Sequence, residues 1–443
     1  MDASKFLQHL QQWEEPFTLG RSDSGPSFND EAIHQGAYTH NPEMYALYSL
    51  APGVPPSQQV RILFQLLRSS RAGMAPEMRR TLERVTTFLL KAIDPDAVLT
   101  VFLSLRRVRA NHKHTTKAIL GYILNHPHCL ELAGSRRPAV VDCLEHASGK
   151  NPTRASAKML LGTKPAEETY LHRHLLKFGR DAEAVKSLFG YLYGEERYGG
   201  NGDYRGEYLR YGALLQARVE RPATITATNR GDISATLVHI YRGGSSPELQ
   251  VGLDNYVVAA AKELPRFDGK VALVLDASAS TRGYGQREFC NISQSVALQL
   301  LLEQCCTSLE VVTVGGAGRI PQPEGTTDLA LALISALEGE PDLVAIASDG
   351  YENLYPGDLA RVAATLPQLG IDTPVVFCHS KFTGSDDLSQ RRPAPHLPQL
   401  EFWHENDFEN VLVTLFSMAK PQLSEPGLRQ FFLAKLERLL AIG

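Results

Sequence analysis

Cysteine pairs, long apolar runs and a strong charge of either sign are all scarce in this 443-residue chain. The six cysteines, Cys129, Cys143, Cys290, Cys305, Cys306 and Cys378, include no CxxC pair and scatter along the chain, a pattern of buried thiols rather than of a disulfide framework. Cysteine-based catalysis therefore has no support. No apolar run approaches the ~18 residues that a membrane helix needs, so no membrane association is expected. The start, MDASKFLQHLQQWEEP, has acids where a secretory signal has basic and then apolar residues, which makes the cytoplasm the expected compartment. With 45 Lys+Arg against 49 Asp+Glu the formal charge is only −4, too little to steer a partner by itself. The composition that remains, 43% hydrophobic and 21% charged, is that of a globular protein, and at about 150 residues per domain the length predicts two or three domains.

The small net charge conceals a partition. Residues 51–200 hold 23 basic and 13 acidic side chains, whereas residues 301–350 hold one basic and eight acidic. An anion-binding part joined to a cation-binding part would have this pattern, as would two ordinary solvated surfaces. Between about Pro56 and Leu192 the apolar residues recur at helical spacing in eight segments separated by short polar stretches, with Pro76 and Pro95 at segment starts, where a missing N–H costs nothing. Helices follow helices here with no strand between them, so stacked helical pairs are expected, although no strict repeat period is present. The first 50 residues give no clear pattern. Residues 189–212 pack Tyr191, Tyr193, Tyr198, Tyr204, Tyr208 and Tyr211 among seven glycines with Arg197, Arg205 and Arg210. Such rings can stack on unpaired bases or tuck into the fold, and the second is preferred. Residues 220–242 read either as a hairpin about Asn229-Arg230-Gly231 or as a helix opened by Asp232.

From Gly269 the period changes. VALVLD (271–276), LEVVTV (309–314), DLVAIASD (342–349) and TPVVFCH (373–379) are short, β-branched runs, with helical stretches at about 287–304, 328–338 and 357–368. Strand–helix alternation predicts a doubly wound, mostly parallel sheet. The expected organisation is a multidomain α plus α/β chain: a helical repeat over 1–215, a connector over 216–268, the sheet domain over 269–390, and over 391–443 a proline-containing linker with two closing helices.

Ligands of open parallel sheets collect at the carboxyl ends of the strands, and three loops there carry chemistry. The first strand runs into Asp276-Ala-Ser278-Ala-Ser280, the second leads to Gly325-Thr326-Thr327-Asp328, and the third ends in Ser348-Asp349-Gly350. D-x-S-x-S, a threonine and an aspartate closing a strand together resemble the metal-ion-dependent adhesion site of a von Willebrand factor A domain. Mg2+ takes six oxygens in a near-octahedral shell and keeps waters readily. Ser278, Ser280 and Thr327 would offer hydroxyls, and Asp276 and Asp349 carboxylates bound directly or through water. Thr327 is preferred to Thr326 because the family threonine commonly stands just before an aspartate. Two carboxylates would leave the ion able to take an anionic oxygen from a partner. Any one of these residues alone would read as a turn or cap residue. A hydrolase is not expected: no G-x-S-x-G elbow surrounds the serines and no histidine is near them in sequence. Val314-Gly-Gly-Ala-Gly318 lacks the spacing of a dinucleotide or phosphate loop and reads as a tight turn.

A helical-repeat region of HEAT or TROVE type, then an A domain led into by Phe267-Asp-Gly-Lys270, then a short tail, resembles the Ro ribonucleoprotein family. That resemblance implies a ring of helices that binds small non-coding or misfolded RNA. The residues offer an independent candidate in Leu105-Arg-Arg-Val-Arg-Ala-Asn-His-Lys-His-Thr-Thr-Lys117, where Arg106, Arg107, Arg109, His112, Lys113, His114 and Lys117 gather at a helix junction. Cations neutralise phosphates, and histidine rings stack on bases or hydrogen-bond to them. A solvated turn would also have this composition. The metal-capable set His126, His128, Cys129, Cys143 and His146 lacks tight paired spacing and reads as core rather than zinc. The expected function is non-catalytic RNA binding, with Mg2+ or another divalent cation in the A domain. The alternative is a protein-interaction adaptor with a metal-dependent A domain, working with an AAA ATPase. A metal-dependent phosphate enzyme would need an acid or base beside the ion, and the sequence supplies none.

Overall fold

The computed structural model describes residues 3–20, 25–195, 202–216, 225–228, 232–389 and 391–442. It divides into two units, one of residues 1–217 with 434–443 and one of residues 218–433.

The described part of the first unit is helical: α1 (Ala3–Gln12), α2 (Glu31–His40), α3 (Pro42–Leu47), α4 (Pro56–Arg68), α5 (Pro76–Ala92), α6 (Pro95–Arg107), α7 (Lys113–Leu124), α8 (Cys129–Ser148), α9 (Lys150–Leu160), α10 (Glu168–His174), α11 (Ala182–Tyr193) and α12 (Gly206–Gln216). The expected eight segments are α4 to α11. Proline opens α3, α4, α5 and α6 at the first turn. Asp94 caps α6 by accepting from the Asp96 N–H at 2.9 Å, and Asp181 caps α11 by accepting from the N–H groups of Glu183 and Ala184. Each helix then buries an apolar stripe, such as Leu82, Val85, Phe88 and Leu89 on α5. Pro138 lies inside α8, whose backbone leaves helical geometry at Arg136, so the sequence period restarts there and only 136–148 reads as helix. α1 to α3 fall in the first 50 residues, where the sequence has no clear pattern.

The second unit begins, in its described part, with α13 (Ile233–His239) and α14 (Pro247–Ala261), followed by β1 (Phe267–Ala277), α15 (Cys290–Cys305), β2 (Cys306–Gly315), α16 (Leu329–Glu338), β3 (Leu343–Ser348), α17 (Asp358–Thr365), β4 (Val375–Ser380), β5 (Gln399–Phe402) and α18 (Phe408–Ser417). α19 (Pro421–Ala441) follows, and its residues from Ala434 belong to the first unit. Asp232 does open a helix, accepting from the Ala235 N–H at 2.8 Å; Asn229, Arg230 and Gly231 lie outside the described residues. The sheet has the order β2-β1-β3-β4-β5, and all four pairings are parallel, with Leu273 level with both Val311 and Ala345 and Ile346 level with Phe377. Leu329, Leu333 and Leu359 of α16 and α17 pack on Val274, Ile346 and Phe377 of one face, while α15 packs on β1 and β4. The sheet is therefore doubly wound, in the manner of a von Willebrand factor A domain. β5 falls in the stretch expected to be a linker; four residues at a sheet edge, next to prolines, leave no alternation to read. No helix among the described residues is long and apolar enough to cross a membrane.

One half-buried acid is expected to make this unit sensitive to pH. The Glu405 carboxylate accepts from the Ile233 N–H at 2.8 Å beside Asp232, and burial, then the Asp232 charge, pushes its pKa up to about 7. A raised folded-state pKa favours the protonated form, so its stabilisation is complete below the ordinary value near 4.5 and is lost as pH rises through about 7. Glu405→Gln is expected to remove this dependence and to stabilise the protein at pH 8 by on the order of 1–2 kcal/mol, read from denaturant midpoints at pH 5 and pH 8. An unchanged pH profile would contradict this.

Candidate metal centre and cationic cavity

β1 and β3 are neighbours, and the chain crosses over between them by way of β2 and α16, so their carboxyl ends open a crevice at the switch point. Asp276 ends β1 and Asp349 directly follows β3. The Ser278 N–H donates to Asp276 Oδ1 at 3.0 Å, and the Ser348 hydroxyl donates to Asp276 Oδ2 at 2.6 Å. Ser278 Oγ lies 3.1 Å from Ser280 Oγ and accepts from the Thr327 hydroxyl at 2.8 Å. Thr327 is buried while Thr326 is exposed. The Tyr351 N–H holds Asp349 Oδ1 at 3.0 Å. Two glycines let the loops close on one another. Gly315 (φ +87°) and Gly350 (φ +85°) occupy left-handed backbone, where an added Cβ would stand 2.3 Å from the Glu324 carbonyl and 2.2 Å from the Arg391 carbonyl respectively.

All five predicted residues thus meet in one place. Asp276, Ser278, Thr327 and Asp349 are buried, and half-buried Ser280 marks the solvent side. Burial raises the pKa of Asp276; burial and then the Asp276 charge push Asp349 up to about 7. Asp349 Oδ2 is buried with no hydrogen-bond partner. Two facing carboxylates, one with an orphaned oxygen, beside three converging hydroxyls form an all-oxygen donor set that fits a hard divalent cation. The hydroxyl of Ser278 is bonded to Ser280 and Thr327 rather than to a base.

Sequence reasoning missed three supports: Ser348, which orients Asp276; Asn353, whose amide donates to Thr327 Oγ1 at 3.4 Å; and Arg391, which donates to the Asp349 carbonyl at 3.0 Å. Ser348 was legible as the strand's last residue; Arg391 sits 42 residues from its partner and gave no local signal. Of the acidic and aromatic residues next in sequence or space, Tyr351 supports Asp349 as above, Asp328 caps α16 through the Leu331 N–H, and Glu303 accepts from Gln299 and Arg319.

In the first unit, the predicted basic stretch is only partly gathered. Arg106 pairs with Asp142 at 2.8 Å, Arg107 donates to the Gly20 carbonyl at 2.7 Å, and Arg109 and Lys113 are exposed. His112 bonds the Arg68 carbonyl at 3.1 Å and stacks on His114, their ring centroids 5.4 Å apart. His114 and Lys117 alone among the seven line a cavity of about 360 Å³ together with residues of α5, α7 and the turn at 176–180. Five cations line it, Arg71, Lys91, Lys117, Lys177 and Arg180, against Glu83 and Glu207, of which Glu83 pairs with Lys117 and Glu207 with Lys91 at 3.9 Å. Tyr122, Phe178, His114 and His126 are among the other lining residues. Burial, chiefly, brings the pKa of His114 and of His126 down to about 4, so both rings are neutral at pH 7. His114 Nε2 is buried and accepts or donates no hydrogen bond. Arg71, Lys91, Lys177 and Arg180 come from segments that no motif linked.

The tyrosine-rich segment tucks inward where it is described: Tyr211 is buried, and Tyr204 donates to Asp96 at 3.1 Å. Arg197 and Tyr198 lie outside the described residues. Of the expected core set, Cys143 is buried, His146 bonds the Ala110 carbonyl at 2.9 Å, and His126 rests against Tyr122.

No family model matches the chain, and no curated protein matches it. Among solved structures it is similar to the crystal structure of the Deinococcus radiodurans Ro (RSR) protein, at 13% identity, over 94% of this chain and 99% of that one, with a TM-score of 0.34.

Proposed function

We propose that the chain is a non-catalytic RNA-binding protein whose helical unit takes single-stranded RNA at the cationic cavity and whose A-type unit holds Mg2+ or another divalent cation. The lining of the cavity carries the RNA reading: five cations share it with four rings, two of them histidines that are neutral at pH 7. Phosphates need the first and unpaired bases the second, and each stacked base is worth about 1–3 kcal/mol. A volume of about 360 Å³ suits a splayed-out nucleotide rather than a duplex.

In the A-type unit, Asp276, Ser278, Ser280, Thr327 and Asp349 would hold the ion. When bound, the ion supplies an electrophilic position for a phosphate or carboxylate oxygen. The chain's own part is positioning: Ser348 and the Ser278 N–H fix Asp276, and Tyr351 and Arg391 fix the Asp349 loop. The adaptor reading is favoured by one observation. Tyr351, Leu354 and Tyr355, in the loop after Asp349, are exposed, and rings of this kind anchor protein partners.

Ultraviolet crosslinking of a uridine-rich single-stranded RNA to the full chain, mapped by peptide mass spectrometry, tests the placement. Crosslinks are expected at Tyr122, Phe178 and Lys117. Their absence, with crosslinks only in residues 218–433, would contradict it.

A further inference from the structure

We propose that His9, Asp30 and His34 form a zinc site in the helical unit, distinct from the oxygen-only centre at Asp276. His9 lies in the last turn of α1, Asp30 immediately precedes α2, and His34 is one turn into α2. Among the described residues this is the one group of three or more His, Cys, Asp or Glu whose ligand atoms all lie within 4.8 Å of one another. His9 Nε2 and His34 Nε2 each stand 3.2 Å from Asp30 Oδ2. Zinc bonds of about 2.0–2.1 Å in a tetrahedron put neighbouring ligand atoms about 3.3 Å apart, so both edges already have the required length. Gln58 Oε1 lies 2.9 Å from His34 Nε2 and offers a fourth oxygen.

The surroundings are those of a ligand set. A neutral His34 has one hydrogen at Nε2, yet two acceptors, Asp30 Oδ2 and Gln58 Oε1, face that nitrogen within 3.2 Å. A cation at that point would satisfy both acceptors and the ring lone pair together. His34 Nδ1 lies 2.8 Å from the Tyr45 hydroxyl, the outer partner that fixes which nitrogen of a ligating histidine meets the metal. Arg61 binds the other carboxylate oxygen, Oδ1, at 3.3 Å, while Oδ2, to which both imidazoles turn, also accepts from the Gln58 amide at 3.4 Å; the Arg61 charge is met by Glu31 at 2.5 Å. His34 and Asp30 are buried and His9 is 12% exposed, as in a closed structural site that clamps α1 and α2 to α4. Two imidazoles and one carboxylate select zinc over Mg2+ or Ca2+, which take oxygen.

Cobalt reads this site separately from the oxygen centre, because tetrahedral Co2+ absorbs visible light strongly and octahedral Co2+ faintly. The full chain, stripped with chelator and titrated with Co2+, is expected to develop an intense band at one equivalent that Zn2+ displaces. His9→Ala, at the edge of the cluster, is expected to keep its far-ultraviolet dichroism and to lose the band, with zinc affinity weaker by about 100-fold or more. His34→Gln is the second variant. A wild-type chain that gives no intense band at saturating Co2+ overturns the proposal whatever the variants do; so does a band that persists at full strength in folded His9→Ala.

Discussion

Asp276→Ala is expected to abolish divalent-cation binding to the A-type unit while leaving the helical unit folded. In the parent protein Mg2+ at 100 times its dissociation constant is expected to stabilise the fold by about 2.7 kcal/mol. The variant is expected to show no Mg2+-dependent shift. Its unliganded stability changes by less than that, because two effects oppose each other. The Ser278 N–H and the Ser348 hydroxyl lose their buried acceptor, at about 1–3 kcal/mol each, while Asp349, whose pKa burial and then the Asp276 charge push up to about 7, is relieved of that charge. Calorimetric titration of Mg2+ into both proteins measures this. Equal affinities would remove the assignment of the five-residue centre.

Reversing Lys117 and Arg180 together, to Glu, is expected to cost the largest share of RNA affinity. The cavity would pass from five cations against two carboxylates to three against four. Every cation that no longer neutralises a phosphate of a single strand makes the salt dependence shallower by about 0.7, so the double variant should lose about 1.4 from the slope and at least about 30-fold in affinity at low salt. Both side chains are exposed, and stability should change by no more than about 0.5 kcal/mol. Arg106→Glu, whose parent side chain is turned to Asp142, should cost less. Equal losses from Arg106→Glu and from the cavity pair would move the interface out of the cavity.

The sheet was legible because its signals are local. VALVLD and DLVAIASD bury both faces and read as unbroken apolar strands, and D-x-S-x-S and the Ser348-Asp349 pair sit within two or three residues of strand ends. Thr327 is preferred to Thr326 in the sequence because the threonine of the resembled site commonly stands before an aspartate, and its hydroxyl donates to Ser278 Oγ. What depends on distant segments was not legible. Arg391 reaches Asp349 from beyond β4, and the cavity takes Arg71 and Lys91 from α4–α5, Lys117 from α7 and Arg180 from the turn before α11. Counting charges over residues 51–200 found the basic excess but not its focus, because Arg106 and Arg107 spend their donors on Asp142 and on the Gly20 carbonyl. His9, Asp30 and His34 escaped for the same reason: a gap of 21 residues separates the first two, in a stretch with no readable period.

The most direct measurement is the affinity of the purified full chain for single-stranded RNA over a series of salt concentrations, in Mg2+ and again in chelator. RNA held by cations on the helical unit predicts binding that weakens steeply and log-linearly with salt, with closely similar slopes in the two conditions. No binding at low salt in either condition would contradict the RNA reading and leave the exposed rings beside Asp349 as the protein's working surface.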